Sequence, residues 1–375
     1  MSAPASQPAE PPGRTLRAGM AAVARIALRP AIAVLGSLIL VGSVVALLGY
    51  PPGRALAALV AGSVGSGAAC TATLLKASPL LLTGLAVALA FRCGVWNIGA
   101  EGQLLVGALC ATAVATRWLP DAPALLLLPM VVLAGAAGGA LMGALAGGLR
   151  ARRGVNEVVS TILLNFVAIQ LVALAVHGPL QEAVGAYPKS DALPINAMLP
   201  ALGRLHLGLV GALGLAAAVH VLVFHTAVGF RLRAVGHAPR AARFAGISPE
   251  RAGWVVLALA GGLAGLAGAF EVSGVTGKLY EGLSPGTGYT AIAVALLARL
   301  QPLAVIPSAL FFGALEAGAG AMQREAGVPG VVTHMVQGLV ILVSALVAFT
   351  ASQTNSVSGP KNSGSKATAD PVEVA

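Results

Sequence analysis

Apolar residues run through this chain in long blocks, parted by short stretches rich in Gly, Pro and Arg. The blocks fall at 31–49, 79–92, 97–116, 124–148, 155–177, 207–226, 252–270, 286–299, 303–321 and 330–350. Runs of this length and character suit helices crossing a hydrocarbon core of ~30 Å. The pattern predicts an all-α, polytopic membrane protein with about ten transmembrane segments. Residues 1–27 read as a disordered cytoplasmic arm, 28–350 as the membrane domain and 351–375 as a disordered cytoplasmic tail. The block at 31–49 is long enough to span and has no small-residue cleavage site after it, which argues against a signal peptide.

Composition agrees. Charged residues make up 10% of the chain, against roughly 25% in soluble domains. The 48 glycines suit close helix approach in lipid, where small residues drive packing. Cys70, Cys93 and Cys110 show no disulfide or zinc spacing, and the scattered histidines none either, so no metal or cofactor is expected. The net charge of +10 does not point to nucleic acid, because the basic residues lie between the apolar blocks. Starting inside and alternating places 16 of the 23 basic residues on the cytoplasmic side and 7 outside, as the positive-inside rule requires. Both termini are then cytoplasmic.

The chain also repeats itself. SPLLLTGLAVALAFR (78–92) aligns with SPGTGYTAIAVALLAR (284–299), and LLVGAL (104–109) with LFFGAL (310–315). Both copies of the first pair run from outside to inside. Pro79–Phe91 and Gly286–Ala298 are each 13 residues, about 20 Å of helix. An interruption follows each one, GVWNIGAEGQ in the first half and QPLAVIPS in the second. Matched short or broken segments in two halves are a sequence pointer to a transport pathway.

Polar residues near these breaks are the candidates for chemistry. Glu101 is either a pathway or gating carboxylate, or part of a hairpin at the cytoplasmic interface in which Arg92 pairs with it. Asn97 and Gln103 either meet a polar ligand or cap a helix beginning near Ile98. Asn156 and Glu157 open the next span, where an acid suits the helix dipole. Ser160, Thr161 and Asn165 run deeper, with Asn165 on roughly the face of Glu157, as inter-helix glue or ligand contact. Glu271, Lys278 and Glu281 are expected in an outer loop, either solvated or part of a docking surface. The cytoplasmic loop 230–251 carries a helical stretch, Pro239 to Ala245, closed by Gly246. It either lies on the membrane or docks a soluble partner.

Together WNIGAEGQ, VNEVVSTILLN, RAVGHAPRAARFAGI and SPGTGYTAIAVALLARLQPLAVI resemble the permease subunits of bacterial ABC importers, in the superfamily for branched-chain amino acids, ribose-type sugars and nucleosides. The resemblance covers about 79–350, and NIGAEGQ and VNEV are most similar to the nucleoside permeases linked to basic-membrane-protein type lipoproteins. It implies a type II importer permease fold in a bacterial cell membrane. It further implies cytoplasmic ATPase subunits, a second permease subunit, identical or different, and an extracytoplasmic binding lipoprotein. In such a permease Asn97, Glu101, Gln103, Asn156, Glu157 and Asn165 are the candidates for the pathway of a nucleoside or nucleobase-like solute. Pro239, Arg240, Ala241, Ala242, Arg243 and Gly246 resemble the ATPase-coupling loop, although Arg240 stands where the family pattern has Glu. The chain carries no GxxxxGK[ST] phosphate loop, so ATP hydrolysis falls to a partner. Ribose-type sugars or branched-chain amino acids are the runner-up substrates. An ion-coupled secondary transporter, titrating at Glu101 or Glu157, is the alternative from another class.

Overall fold

A computed structural model describes residues 35–36, 39–183, 185, 187–329 and the single positions 332, 335, 338, 339 and 342. The expected arm 1–27, the tail 351–375 and most of the block 330–350 lie outside the described residues.

After a helical stretch at 39–47 come α1 (Pro52–Val64), α2 (Gly67–Arg92) and α3 (Ala100–Ala113), which runs on into a π turn, Val114–Trp118. Next are α4 (Ala124–Arg153) and α5 (Glu157–Val176). A loop carrying a two-residue hairpin, β1 (Ala201–Leu202) with β2 (Leu205–His206), leads to α6 (Gly208–His225) and α7 (Ala227–His237). The chain closes with α8 (Pro239–Phe244), α9 (Pro249–Glu271) with its π turn Val272–Thr276, α10 (Thr287–Leu297) and α11 (Val305–Ala326). The architecture is thus overwhelmingly helical.

Six helical stretches are long and apolar enough to cross a membrane, and α10 is a shorter apolar helix. Among the six, the windows in α2 and α9 are 72% and 67% buried, against 28–39% for the others. Those two helices therefore form the centre, and the remaining four turn apolar faces outward, with Leu125, Leu174 and Val210 among the exposed residues. In a protein of this composition such faces meet lipid.

Glycine sets the closest packing. Gly135, Gly139 and Gly143 recur every fourth residue along α4, and a Cβ on any of them would strike α9, at Gly265 and Ala269, Gly261 and Leu257 respectively. Gly261 and Gly265 reciprocate from α9. This is the small-residue contact by which membrane helices bring their backbones together.

One expectation is overturned. The apolar blocks predict no element between 50 and 78 and a short helix beginning at Pro79. Instead α1 fills part of that interval, and α2 is 26 residues long with Pro79 in its interior. Ser66 starts α2, its side chain accepting from the Ala69 N–H at 3.1 Å. The stretch that aligns with it is short, as α10 spans 11 residues.

Candidate functional site

The stretch GVWNIGAEGQ turns the chain from α2 into α3. Gly94 takes a left-handed φ of 71°, and a Cβ there would meet Gly236 of α7 at 3.4 Å. The Asn97 and Gln103 side chains then join through two amide hydrogen bonds, each 3.0 Å. The Asn97 Oδ1 also accepts from the Gly99 N–H at 3.1 Å. Asn97 tightens the turn and is not the cap of a helix at Ile98, since α3 begins at Ala100 behind Gly99.

Asn165 reaches this turn from α5. Its Oδ1 accepts from the Gly102 N–H at 2.8 Å, and its Nδ2 donates to the Ile98 carbonyl at 2.9 Å and to the Tyr289 hydroxyl at 3.2 Å. One amide thereby ties together the turn, α5 and α10. Asn97, Gln103 and Asn165 are all buried, and satisfying them internally is what makes that burial affordable in a low-dielectric interior.

Glu101 has a specific structural partner: the start of α10. Its Oε1 accepts from the Gly286 N–H at 3.2 Å and its Oε2 from the Gly288 N–H at 2.6 Å. A helix begins with unsatisfied N–H groups and a partial positive charge, and a buried carboxylate answers both. Gly288 makes the approach possible, because a Cβ there would run into the Glu101 backbone. Arg92 does not pair with Glu101. Its Nε donates to the Leu300 carbonyl at 2.7 Å and its guanidinium lies 4.8 Å from the Phe224 ring centroid.

Asn156 and Glu157 stand apart from this cluster. Asn156 caps α5, its Oδ1 accepting from the Val158 N–H at 2.8 Å, and Glu157 pairs with Arg150 at 3.3 Å. The structure thus unites Asn97, Glu101, Gln103 and Asn165 with α10 and leaves the other two at the helix start.

On the far side of the α10 N-terminus lies a cavity of about 350 Å³. Its lining includes Lys76 of α2, Glu271 at the end of α9, Ser284 just ahead of α10, Thr287 at its start, and Glu316 of α11. Lys76 Nζ and Glu316 Oε1 are 3.0 Å apart. Glu271 is accordingly not in a solvated loop, contrary to the expectation from sequence: α9 runs up to it and turns it into the bundle. Lys278 and Glu281 do lie in the following segment, where they meet Glu182 at 3.5 Å and His177 at 3.9 Å. Lys76 and Glu316 were absent from the sequence candidates. The signal was a lone charge in an apolar stretch, which is costly in a membrane and needs a reason.

Comparison with known proteins now decides the family. Residues 69–345 match the family described as branched-chain amino acid transport system / permease component. The chain belongs to this permease family. It is 36% identical over 326 residues to the glucose ABC transporter permease protein TsgB13 of Haloferax volcanii, covering 84% of this chain and 85% of that one. It is 36% identical over 322 residues to the guanosine ABC transporter permease protein NupP of Bacillus subtilis, covering 84% and 92%. With the nucleoside ABC transporter permease protein NupB of Lactococcus lactis it shares 31% over 334 residues, 86% and 91% of the two chains. The protein is therefore a multi-pass cell-membrane permease of ABC type, a transport subunit and not itself an enzyme.

In this permease the cytoplasmic stretch 226–251 folds into two short helices joined end to end. Thr226 hinges α6 to α7, its Oγ1 accepting from the Gly229 N–H at 3.1 Å, and α8 follows directly. Pro239 occupies the first turn of α8, and Gly246 closes it with a φ of 78°. Ala242 is buried, while Arg240, Ala241 and Arg243 are exposed. Phe244 is 94% exposed, an aromatic side chain held out on a short rigid helix. Arg243 reaches back to Glu250, which the Ser248 hydroxyl also contacts at 3.1 Å.

Proposed function

We propose that this permease forms the translocation pathway of an ABC importer for a nucleoside or nucleobase-like solute. A binding lipoprotein delivers the solute outside, and ATPase subunits act from the cytoplasm with a second permease subunit. The observation that carries the solute class is the identity to the guanosine and nucleoside permeases, 36% and 31% over more than four-fifths of the chain. The 36% identity to a glucose permease makes a hexose the second reading.

In this reading the chain crosses the membrane ten times with both termini inside. The six long spans are joined by the 39–47 stretch, α3 with its π turn, α10 and the block at 330–350. Asn97, Glu101, Gln103 and Asn165 brace the pathway wall, and Asn156 and Glu157 mark its cytoplasmic end. Pro239, Arg240, Ala241, Ala242, Arg243 and Gly246 form the segment that seats in the ATPase, with Phe244 as its protruding contact. A short helix of this kind transmits nucleotide-driven closure to α7 and α9 as a rigid-body movement.

The test is uptake of radiolabelled guanosine and glucose by proteoliposomes holding the permease with an ATPase, a second permease and a binding lipoprotein from the same organism. ATP-dependent guanosine uptake is expected. Uptake driven by a proton gradient with the ATPase omitted would overturn the importer reading, and glucose uptake without guanosine uptake would shift the solute class.

A further inference from the structure

The polar side chains deep in this bundle differ in what their atoms have left to offer. Both Glu101 oxygens are occupied by α10 N–H groups, Asn97 and Gln103 hold one another, and Asn165 is spent on Gly102, Ile98 and Tyr289. Each of these is already committed to partners within the protein. The cavity between α2, α9 and α11 is different. The Glu271 carboxylate lines it and has no hydrogen-bond donor or ion-pair partner among the described residues, only the field of Lys76 and Glu316. Pro79 has no N–H to give the Leu75 carbonyl, and both residues line the same space.

Counted formally, the charged residues around the cavity balance. Lys76 and Arg324 supply two positive groups, Glu271 and Glu316 two negative ones. Such a site neither attracts nor repels a neutral molecule, yet it holds unused acceptor capacity on a half-buried carboxylate, in a setting where charge is expensive. Its volume of about 350 Å³ falls within the range of small-molecule sites.

We propose that this cavity is a contact point for the solute in transit, with Glu271 accepting paired hydrogen bonds from a neutral, donor-rich molecule. The Lys76–Glu316 pair holds the neighbouring wall. Two parts of a nucleoside offer that paired-donor chemistry: the vicinal diol of its sugar, and the ring N–H with the adjacent amino group of guanine. The assignment rests on the importer reading above and names where its solute is held.

The experiment uses the complete transporter in proteoliposomes and compares guanosine with inosine, which lacks the amino group, and with 2′,3′-dideoxyguanosine, which lacks the diol. Glu271→Gln is expected to lower guanosine uptake by about tenfold or more, since a site built to pair with donors loses most when the pairing is broken. It also narrows the preference for guanosine over one analogue: inosine if the guanine edge is held, the dideoxy compound if the diol is. A ratio between solutes does not depend on how much transporter assembles. Glu271→Asp, which keeps the acceptor but withdraws it by one methylene, gives an intermediate ratio and serves if the Gln variant does not fold. Glu281→Gln, on the outer segment, leaves uptake unchanged. Wild-type uptake of guanosine tests the importer reading by itself; if glucose is carried instead, the same ratios are read with its deoxy analogues. Full guanosine uptake by Glu271→Gln, or equal loss for all three solutes, would overturn the proposal.

Discussion

Two stretches of this permease share Ser-Pro, a Thr, Ala-Val-Ala-Leu and a closing Arg, yet build different helices around them. Ser78-Pro79 lies inside the 26-residue α2, whereas Ser284-Pro285 lies ahead of the 11-residue α10. Proline does not decide the difference. Ahead of Pro79 stands GAACTATLLKAS, capped by Ser66 and free of internal glycine, so the helix is already formed when the proline joins it. Ahead of Pro285 the chain takes left-handed turns at Gly277, Gly282 and, just after it, Gly286, with φ of 64°, 80° and 98°. The two helices then pack side by side, Gly84 against Val294, and their ends meet where Arg92 holds the Leu300 carbonyl. They run parallel. The copy that starts inside the bundle must have its free N–H groups satisfied there, and Glu101 supplies the acceptor. A charge at membrane depth can thus be a helix cap.

The comparison breaks most severely at Gly288. Counting back from the shared Thr83 and Thr290, its counterpart in the first copy is the buried Leu81. Gly288→Leu makes the second copy more like the first, but its Cβ strikes the Glu101 backbone and displaces the N–H that the carboxylate accepts from. The expected cost exceeds about 3 kcal/mol, enough to remove the protein from membranes when its abundance is measured by immunoblot. Normal abundance and stability would mean that α10 can slide away from α3. Glu101→Ala is next, losing two charge-assisted hydrogen bonds and the attraction to the helix terminus, about 2–4 kcal/mol together. Glu101→Gln keeps one acceptor and should lose roughly half as much. Thermal unfolding of the purified protein in nanodiscs reads both, and equal melting temperatures for wild type and Ala would remove the capping role.

How far the sequence carried these conclusions varies from residue to residue. The deficit of charge made the membrane class plain, and the matched Ser-Pro, Thr and Arg positions pointed to α2 and α10. The length of α2 was hidden because Ser-Pro invites a break, and the glycine-free run 68–78 carried the contrary signal. Asn156, Glu157, Pro239 and Gly246 were legible because capping chemistry is local. Glu101 was visible as an anomaly, but its partners lie 185 and 187 positions away, a distance that one sequence does not bridge. Arg92 is near Glu101 in sequence but serves the end of the aligned stretch instead. Glu271 and Lys76 come together only through the packing of α2 against α9, so their shared cavity had no local signature.

The smallest effect lies where the two copies end. Arg92 closes α2 in helical geometry, while its counterpart Arg299 has φ 52° and the next residue, Leu300, φ 58°. Among the described residues these are the non-glycine positions in the left-handed region. Side chains resist that conformation and glycine does not. The reversal is nonetheless required, since it turns the Leu300 carbonyl toward the Arg92 Nε at 2.7 Å. Leu300 packs against the core and earns its place there, but Arg299 is exposed. Arg299→Gly should therefore relieve strain with little packing lost. Glycine's greater freedom in the unfolded chain offsets part of that relief, leaving a gain of about 0.5–1 kcal/mol. In nanodisc melting this is a small upward shift, opposite in sign to the Glu101 variants. A downward shift would show that the Arg299 side chain contributes more at this end of the bundle than its backbone conformation costs.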